Sequence, residues 1–464
     1  MATAASEFGA WVTDRTVDEL SASLQDPAPV AARRREALRR FRELPLEPNP
    51  LYRKYGYFAG VDLSEILPAR LGAPVIPPPP QEGTVEILHD VAGTHVRLSP
   101  ELRDAGVTVT PLVAVLAEGE AARAAFFRGE EEPTDRLSAL TTALVNRGYR
   151  LEIPARCPIP VRVKDSTVLC RPGEALSMRR SVKVGAESRL LFSEEIFSKA
   201  SPPPQQRLVG SSTDLELGDG ARGVYLTLHA PDPRAVSLFQ RHATLARAAR
   251  LTWAWAGFGG FRTKARNLSV LVGPGSALED LQAFYGAGET AYDSAVHITH
   301  VGTDTQGQSV TRGVFRDSAR GMSRGLVRIE KEARKTISFL SEHAMLLSRG
   351  ARSDTIPILE ILCRDVKATH SSSVAPVDPE RVFYLESRGI SETESVRMIA
   401  EGFLAHVLDR VPVAGLRETL YPYLAARWEG RSAIWLDPAT PSLPPLSYGG
   451  ADVGPDWRFD SKLR

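Results

Sequence analysis

Few residues in this chain could do chemistry, and they are dispersed. His370 follows the extended stretch Glu360 to Thr369 and precedes three serines, Ser371 to Ser373. An imidazole emerging there from a scaffold edge stays accessible, and a neutral imidazole is a suitable ligand for iron. The competing reading is a hydrogen-bonded histidine that stabilises the strand end. His297 and His300 form H-x-x-H inside a second extended segment. A three-residue offset points those rings to opposite faces of a strand, which favours two structural histidines over a shared metal. The three cysteines, Cys157, Cys170 and Cys363, are too few and too scattered for a disulfide framework, a usage that fits a reducing compartment. Cys363 lies seven residues before His370, on the opposite face of a regular strand, and its neighbours Ile361 and Leu362 favour a buried thiol. Cys157 and Cys170 read equally as core or as sulfur-handling residues. No C-x-x-C or H-E-x-x-H occurs to support a zinc site. Gly321 to Gly325 matches G-x-S-x-G around Ser323, but a nucleophile elbow needs a helix after it, and the following LVRIEKEA is extended. There is no P-loop motif, so no nucleotide is expected on this chain and any nucleotide hydrolysis belongs to another subunit.

The elements that must position these residues are mostly strands. From Tyr149 to about Val377 the chain alternates short apolar runs with glycine turns, as in VGAES at Val184 and VGPGS at Val272. Stacked coils of a β-solenoid produce this pattern; a sandwich or barrel produces it too. Ahead of it, Val30 to Leu44 reads as a helix in which Arg33, Arg34, Arg35, Arg39, Arg40 and Arg42 surround a thin apolar stripe of Leu38, Phe41 and Leu44. Such a helix reads as a solvated surface element, since the interleaved aromatics of a nucleic-acid surface are missing. Leu137, Leu140, Thr141, Leu144 and Val145 form one face of a further helix, with Gly148 where a C-terminal cap is expected. The expected division is 1–80, a helical region ending in the stiff linker Pro77 to Pro80; 81–148, mixed; 149–380, the strand-rich core; 381–429, helical; and 430–464, irregular.

With 57 Lys and Arg against 56 Asp and Glu, no net field favours nucleic acid or an anionic membrane. The N-terminus has acidic residues and no apolar run, so no signal peptide is expected. No stretch approaches the roughly 20 apolar residues of a membrane span. The expectation is a soluble cytoplasmic protein.

After the strands, Ser391 opens a helix with Glu394 three residues on, the pattern of a capping box. Val396, Ile399, Ala400, Phe403, Leu404, Val407 and Leu408 fall on one face of it, and Pro412 ends it. Leu416, Leu420, Tyr423, Leu424 and Trp428 predict another helical segment, broken or restarted at Pro422.

Four strings in this region carry a family resemblance: HAMLLSRGARSDTIPILEI from His343, LEILCRDVKATH from Leu359, FYLESRGI from Phe383 and MIAEGF from Met398. They resemble the C-terminal core of the SufB/SufD family, scaffold proteins of the Suf iron–sulfur cluster assembly system, and the string from His343 fits the SufD branch without a gap. The resemblance is fullest from Arg250 to Ala405 and extends more faintly over Leu137 to Ala200. It implies a right-handed parallel β-helix core flanked by N-terminal and C-terminal helical segments. It also implies a SufD-like, non-catalytic subunit that pairs with a SufB homologue and docks the SufC ATPase through its C-terminal helices. His370 then corresponds to the SufD histidine facing SufB, a ligand for a transient iron–sulfur cluster at that interface. Candidate partner contacts are Glu392, Glu394, Arg397, Glu401 and Arg410 on the polar side of the Ser391 helix, with Phe403 and Leu404 on its apolar side. Nothing in the residues decides whether a flavin binds. The sequence departs from the pattern in three places: Glu342 stands near the position of a cluster-building cysteine in SufB-type scaffolds, Ala368 where SufD proteins commonly have cysteine, and Ser371 where they have glycine.

Two rivals remain at this stage. One is a SufB-like homo-oligomer, in the simplest case a homodimer, that holds the cluster itself; Glu342 in place of cysteine speaks against it. The other is a β-helix carbohydrate-active enzyme using Asp293, Asp304, Asp317, Arg312 and Arg316 on the solenoid exterior, which the missing secretion signal weakens.

Overall fold

Short alternating strands bury one face each only by stacking, and here they stack in parallel. The computed structural model of the protein describes residues 12–47, 61, 67–68, 82–128, 135–170, 173–198 and 206–431. The Pro77 to Pro80 linker and the tail beyond residue 431 lie outside the described residues. The early elements are α1 (Asp14–Ser23), α2 (Ala28–Glu43), β1 (Leu67–Pro68), β2 (Thr84–His89), β3 (Thr94–Leu98), α3 (Pro100–Asp104), β4 (Thr108–Pro111), α4 (Leu112–Ala117), α5 (Glu120–Phe126) and α6 (Arg136–Ala143). The core then runs through β5 (Arg147–Ile153), β6 (Val161–Leu169), β7 (Glu174–Val184), β8 (Arg189–Ser198), β9 (Arg207–Leu217), β10 (Arg222–His229), β11 (Ala235–Leu245) and β12 (Arg250–Gly257). It continues with β13 (Arg262–Leu271), β14 (Ala277–Gly286), β15 (Ala291–His300), β16 (Gln306–Phe315), β17 (Arg320–Ile329), β18 (Thr336–Leu346), β19 (Arg352–Ile361) and β20 (Val366–Pro376). Three helices follow: α7 (Pro379–Glu386), α8 (Glu392–Leu408) and α9 (Leu416–Trp428).

From β5 onward, the eight odd-numbered strands lie in one sheet and the eight even-numbered strands in the other, all pairing in parallel, so the chain winds about eight turns of a β-solenoid; β1 and β4 bring the first sheet to ten strands, and β2 and β3 the second. Parallel sheets need both faces covered. The inner faces cover one another, as where Phe192, Tyr225 and Trp253 stand in register on β8, β10 and β12. The Phe192 and Tyr225 rings stack with centroids 4.2 Å apart. One outer face is covered by α6 and the N-terminal helices, the other by α8 and α9. The mixed region is continuous with the core: β2 pairs in parallel with β6, and antiparallel β3 and β4 close the N-terminal ends of the two sheets.

One corner repeats in every coil. Arg156, Glu187, Gly220, Ala248, Gly275, Asp304 and Lys335 all adopt positive φ there, and each donates its backbone N–H to a carbonyl of the next coil. Only the glycines among them take that conformation without steric cost. Burial of the coil interior must therefore hold the other five in place.

Several expectations about the helices change. Gly148 caps no helix; it lies in β5 with φ +146, where a Cβ would come within 2.0 Å of the Arg179 carbonyl oxygen. The helix before it ends at Ala143 and is buried on nearly every side. The arginine-rich α2 is not simply solvated. Arg34 is buried on α2, bonded to Asp26 at 2.5 Å and to the Val145 carbonyl at 2.6 Å. Arg35 pairs with Asp18, Arg39 with Glu36 and Glu43, Arg40 with Glu36 and Arg42 with Asp14, so the exposed face is charge-compensated. Pro422 does not break α9, which is continuous from Leu416 to Trp428. A proline inside a helix costs about 3 kcal/mol; burying Leu420, Tyr423 and Leu424 at roughly 1.5–3 kcal/mol each offsets it.

Candidate functional site

The solenoid is closed at one end and open at the other. β19 and β20 are the last strands of their sheets, ten and eleven residues long, and neither has a strand on its outer edge among the described residues. Both are exposed or half-buried along almost their whole length. Their backbone groups form ready templates for further pairing.

His370 sits in this last coil, but not where the spacing put it. The stretch Glu360 to Thr369 is not one strand: β19 ends at Ile361, a corner follows, and His370 lies in the middle of β20. It pairs in register with Leu340 of β18, whose side chain is in the main core. The imidazole therefore occupies an inward-facing position with no coil above it. It is exposed and makes no hydrogen bond among the described residues, so it does not pin a strand end. Ala368 and Ser372 share that face; Ser371 and Ser373 are on the outer one.

Cys363 is in the corner between β19 and β20, not on the strand of His370, and its side chain is buried in the main core. That burial agrees with a structural thiol. Cys157 and Cys170 are half-buried on early coils, and none of the three cysteines is in a disulfide. Cys157 follows the corner residue Arg156 and donates its N–H to Ser188 Oγ at 3.0 Å.

Glu342, one inward position along β18 from Leu340, is buried inside the last coils. Ser323 Oγ donates to its Oε1 at 2.7 Å. Its Oε2 has no partner, and neither has the hydroxyl of Thr311, the residue opposite it on β16. Burial pushes the Glu342 carboxyl up to about 7, against a small opposing effect of the Ser323 bond. Ser323 is thus a mid-strand residue on β17, with no helix following, and the geometry of a nucleophile elbow is not there. His300 points inward, bonded to Thr305 and Ser338, while His297 is half-buried on the opposite face.

The exterior residues of the carbohydrate-enzyme reading do not converge. Asp293 is bridged to Arg324 at 2.6 Å on the odd-strand sheet. Asp304 and Asp317 are corner residues in positive φ. Arg312 and Arg316 stack on Phe403 and Trp428 on the other sheet.

Among the C-terminal candidates, Ser391 caps α8 by accepting from Glu394 N–H at 3.3 Å, without the return bond of a full capping box. Glu392 and Glu394 are exposed, and Arg397 pairs with Glu401 at 2.8 Å on the same helix. Leu404 is fully buried with Ala400, Val407 and Leu408 against the outer face of the even-strand sheet. It seats the helix and cannot reach a partner. Phe403 is half-buried beneath Arg312, and Arg410 is tied to Glu279 and Gln308 of the solenoid. The exposed apolar groups lie elsewhere. Phe383 and Tyr384 on α7 are 71% and 57% exposed, with Met398 of α8 at 44%. Pro379, Glu380, Phe383, Tyr384 and Ser387 line an open groove there. Sequence reasoning missed these because FYLESRGI was read only as a family string; its helical spacing, with Asp378 as N-cap, was the available signal.

No group of three or more metal-ligating side chains occurs among the described residues, and no described helix is long and apolar enough to cross a membrane. The class of protein is thus a parallel β-solenoid with one open, strand-edged end and a helical C-terminal flank. Residues 168–403 match the family model for the SufBD core domain of SUF-system FeS cluster assembly. The chain belongs to this family. It is 28% identical over 345 residues to the iron–sulfur cluster assembly protein SufD of Bacillus subtilis, spanning 73% of this chain and 78% of that protein. It is 24% identical over 326 residues to an iron–sulfur cluster assembly SufBD family protein of Staphylococcus saprophyticus, 68% of each. Against SufD of Escherichia coli it is 32% identical over 117 residues, 25% of this chain and 28% of that one.

Proposed function

We propose that this chain is the SufD-like subunit of a Suf assembly scaffold in the cytoplasm. It pairs with a SufB homologue through the open end of the solenoid and offers His370 to a nascent iron–sulfur cluster, the cargo of the complex. One observation carries the reading: a histidine with no protein partner faces inward on a coil whose two strands both end their sheets. A partner strand added to β20 would cover His370 while completing the backbone hydrogen bonds of that edge. The affinity would come from main-chain bonding and the specificity from such inward side chains. His370→Ala is expected to retain the SufB homologue in co-purification and to lower the iron and acid-labile sulfide recovered with the complex. An unchanged cluster yield would remove the ligand role, and recovery of this chain only with itself would shift the pairing to a homo-oligomer.

The absence of a P-loop supports an ATPase partner, and the exposed groove on α7 is where we infer that it docks. Phe383→Asp with Tyr384→Asp is expected to abolish co-purification of a SufC-type ATPase, a loss of at least about 2 kcal/mol if the two aromatics are central to the contact. The thermal unfolding of the variant should match the parent, because both rings are exposed. Retained ATPase in a folded variant would move the contact to Glu392, Glu394 and the rest of α8.

A further inference from the structure

One buried carboxylate in the last coils lacks a counter-charge. Asp165, Glu194, Asp232 and Asp293 are each paired with an arginine, and Asp280 accepts from the amides of Asn267 and Gln282. Glu342 is 2% exposed and, among the described residues, accepts only from Ser323 Oγ. Its Oε2 is the one carboxylate oxygen among the buried, unpartnered side-chain atoms of those residues. A buried acceptor left unmade is costly, and more so when it is charged.

The space beside it is built of oxygens. Thr311 and Glu342 are in register on β16 and β18, as are Ser323 and Thr355 on β17 and β19. Thr311, Ser323, Ser353 and Thr355 line a small, partly open pocket of about 20 Å³, and Glu342 meets its wall through the 2.7 Å bond from Ser323. The Thr311 hydroxyl is unpartnered too, on a residue only 5% exposed. Gly325 leaves room for the carboxylate: a Cβ there would come 2.9 Å from Leu340 Cδ1 and 3.1 Å from Glu342 Oε1. Ser353 and Thr355 belong to the last coil, so the pocket lies at the open end of the solenoid.

The donor set selects the ligand. Carboxylate and hydroxyl oxygens suit hard cations, whereas zinc, copper and iron favour imidazole and thiolate. His343 also lines the pocket, but Ser373 and Ser371 engage its two nitrogens. A single carboxylate balances a single positive charge; a divalent ion would keep an unmatched charge in the interior, which is expensive. A pocket this small, far below the roughly 300 Å³ of small-molecule sites, excludes an organic cation.

We propose that this pocket binds one alkali cation, sodium or potassium, on Glu342 Oε2 and the hydroxyl oxygens of Thr311, Ser323 and Thr355. The ion supplies the counter-charge that other buried acids take from arginines. It also links the inner faces of the two sheets where the last coil has no neighbour above it. The site belongs to the chain alone and stands whether or not a partner strand adds to β20.

The test is the melting temperature of the full-length chain in sodium, potassium or choline chloride at one ionic strength. It is run at pH 8, above the value of about 7 to which burial raises the carboxyl. In choline the ionised carboxyl has no counter-charge. A saturable rise in sodium or potassium over choline is expected, and the ion that saturates at the lower concentration is the occupant. Glu342→Gln should remove the rise. Thr311→Val, which keeps the side-chain shape, should raise the half-saturating concentration by about fivefold, the size of one lost polar contact. Glu392→Gln, exposed on α8, should respond as the parent does. Equal melting temperatures of the parent in all three salts would overturn the assignment, as would a folded Glu342→Gln chain that keeps the rise. A saturable rise with magnesium or calcium at lower concentration than with either alkali ion would also overturn it, by giving the pocket to a divalent ion.

Discussion

Arg180→Leu is expected to destabilise the protein by about 3–5 kcal/mol, the usual cost of removing one member of a buried ionic group. Arg180 is fully buried inside the solenoid. Its Nε and Nη2 bond the two Asp165 oxygens at 2.7 and 2.8 Å, and its Nη1 bonds Glu194 Oε1 at 2.9 Å. Around this triad, His89 and Tyr149 reach Asp165, while Arg241, Thr227 and Ser211 reach Glu194. Burial opposes ionisation of Asp165, but Arg180 and then His89 outweigh it and hold the carboxyl below its ordinary range. Removing Arg180 would leave two carboxylates in the interior with that compensation gone. Urea unfolding at neutral pH measures the effect. Because a depressed acid contributes stability above its unfolded pKa and loses it as pH falls, the parent and variant should converge in acid, where Asp165 and Glu194 are protonated. A loss below about 1 kcal/mol at pH 7 would mean that water or relaxation re-solvates the pair, contrary to a dry interior.

Much of this organisation was legible in the sequence, and what was not has physical causes. The alternating runs and glycine turns gave the strand-rich core, while stacking as against sandwiching came from the family strings. The repeating corner escaped notice because its left-handed position is filled by Arg, Glu, Gly, Ala, Gly, Asp and Lys in turn. The conformation repeats because a coil above and a coil below fix it, a non-local cause that no residue type announces. The corner at Leu362 to Asp365 escaped for a related reason. Cys363 turns its side chain into the core, so the hydrophobic run from β19 to β20 is interrupted only by Arg364 and Asp365. That misplaced His370 by half a strand, although its role as an exposed imidazole near the end of the core was readable. On α8 the apolar stripe was read correctly, but a stripe cannot say what covers it. The solenoid does, and Leu404 is lost as a docking residue. The buried ionic triad was invisible, because Asp165, Arg180 and Glu194 become neighbours only when β6, β7 and β8 close one coil.

Glu342 makes the second large prediction, with the opposite sign in pH. Its carboxyl lies in the interior, with one oxygen bonded to Ser323 and the other without a partner, as is the hydroxyl of Thr311, the residue in register with it on β16. Thr311 and Ser323 also line a small, partly open pocket of about 20 Å³. No cation compensates it, so burial raises its pKa from 4.5 to about 7. A raised acid is protonated in both folded and unfolded chains at low pH. As pH rises through 4.5 the unfolded chain releases the proton while the folded chain keeps it, and stability falls until about pH 7, where the folded group also ionises. The difference corresponds to about 3 kcal/mol, taking roughly 1.4 kcal/mol per pKa unit. Glu342→Gln removes the titration and keeps the acceptor for Ser323, and its amide can donate to Thr311. The variant should match the parent near pH 4.5 and exceed it by up to about 3 kcal/mol at pH 8, by urea unfolding at the two values. A constant difference at both would show that Glu342 keeps an ordinary pKa, and that a counter-charge reaches it inside the coil.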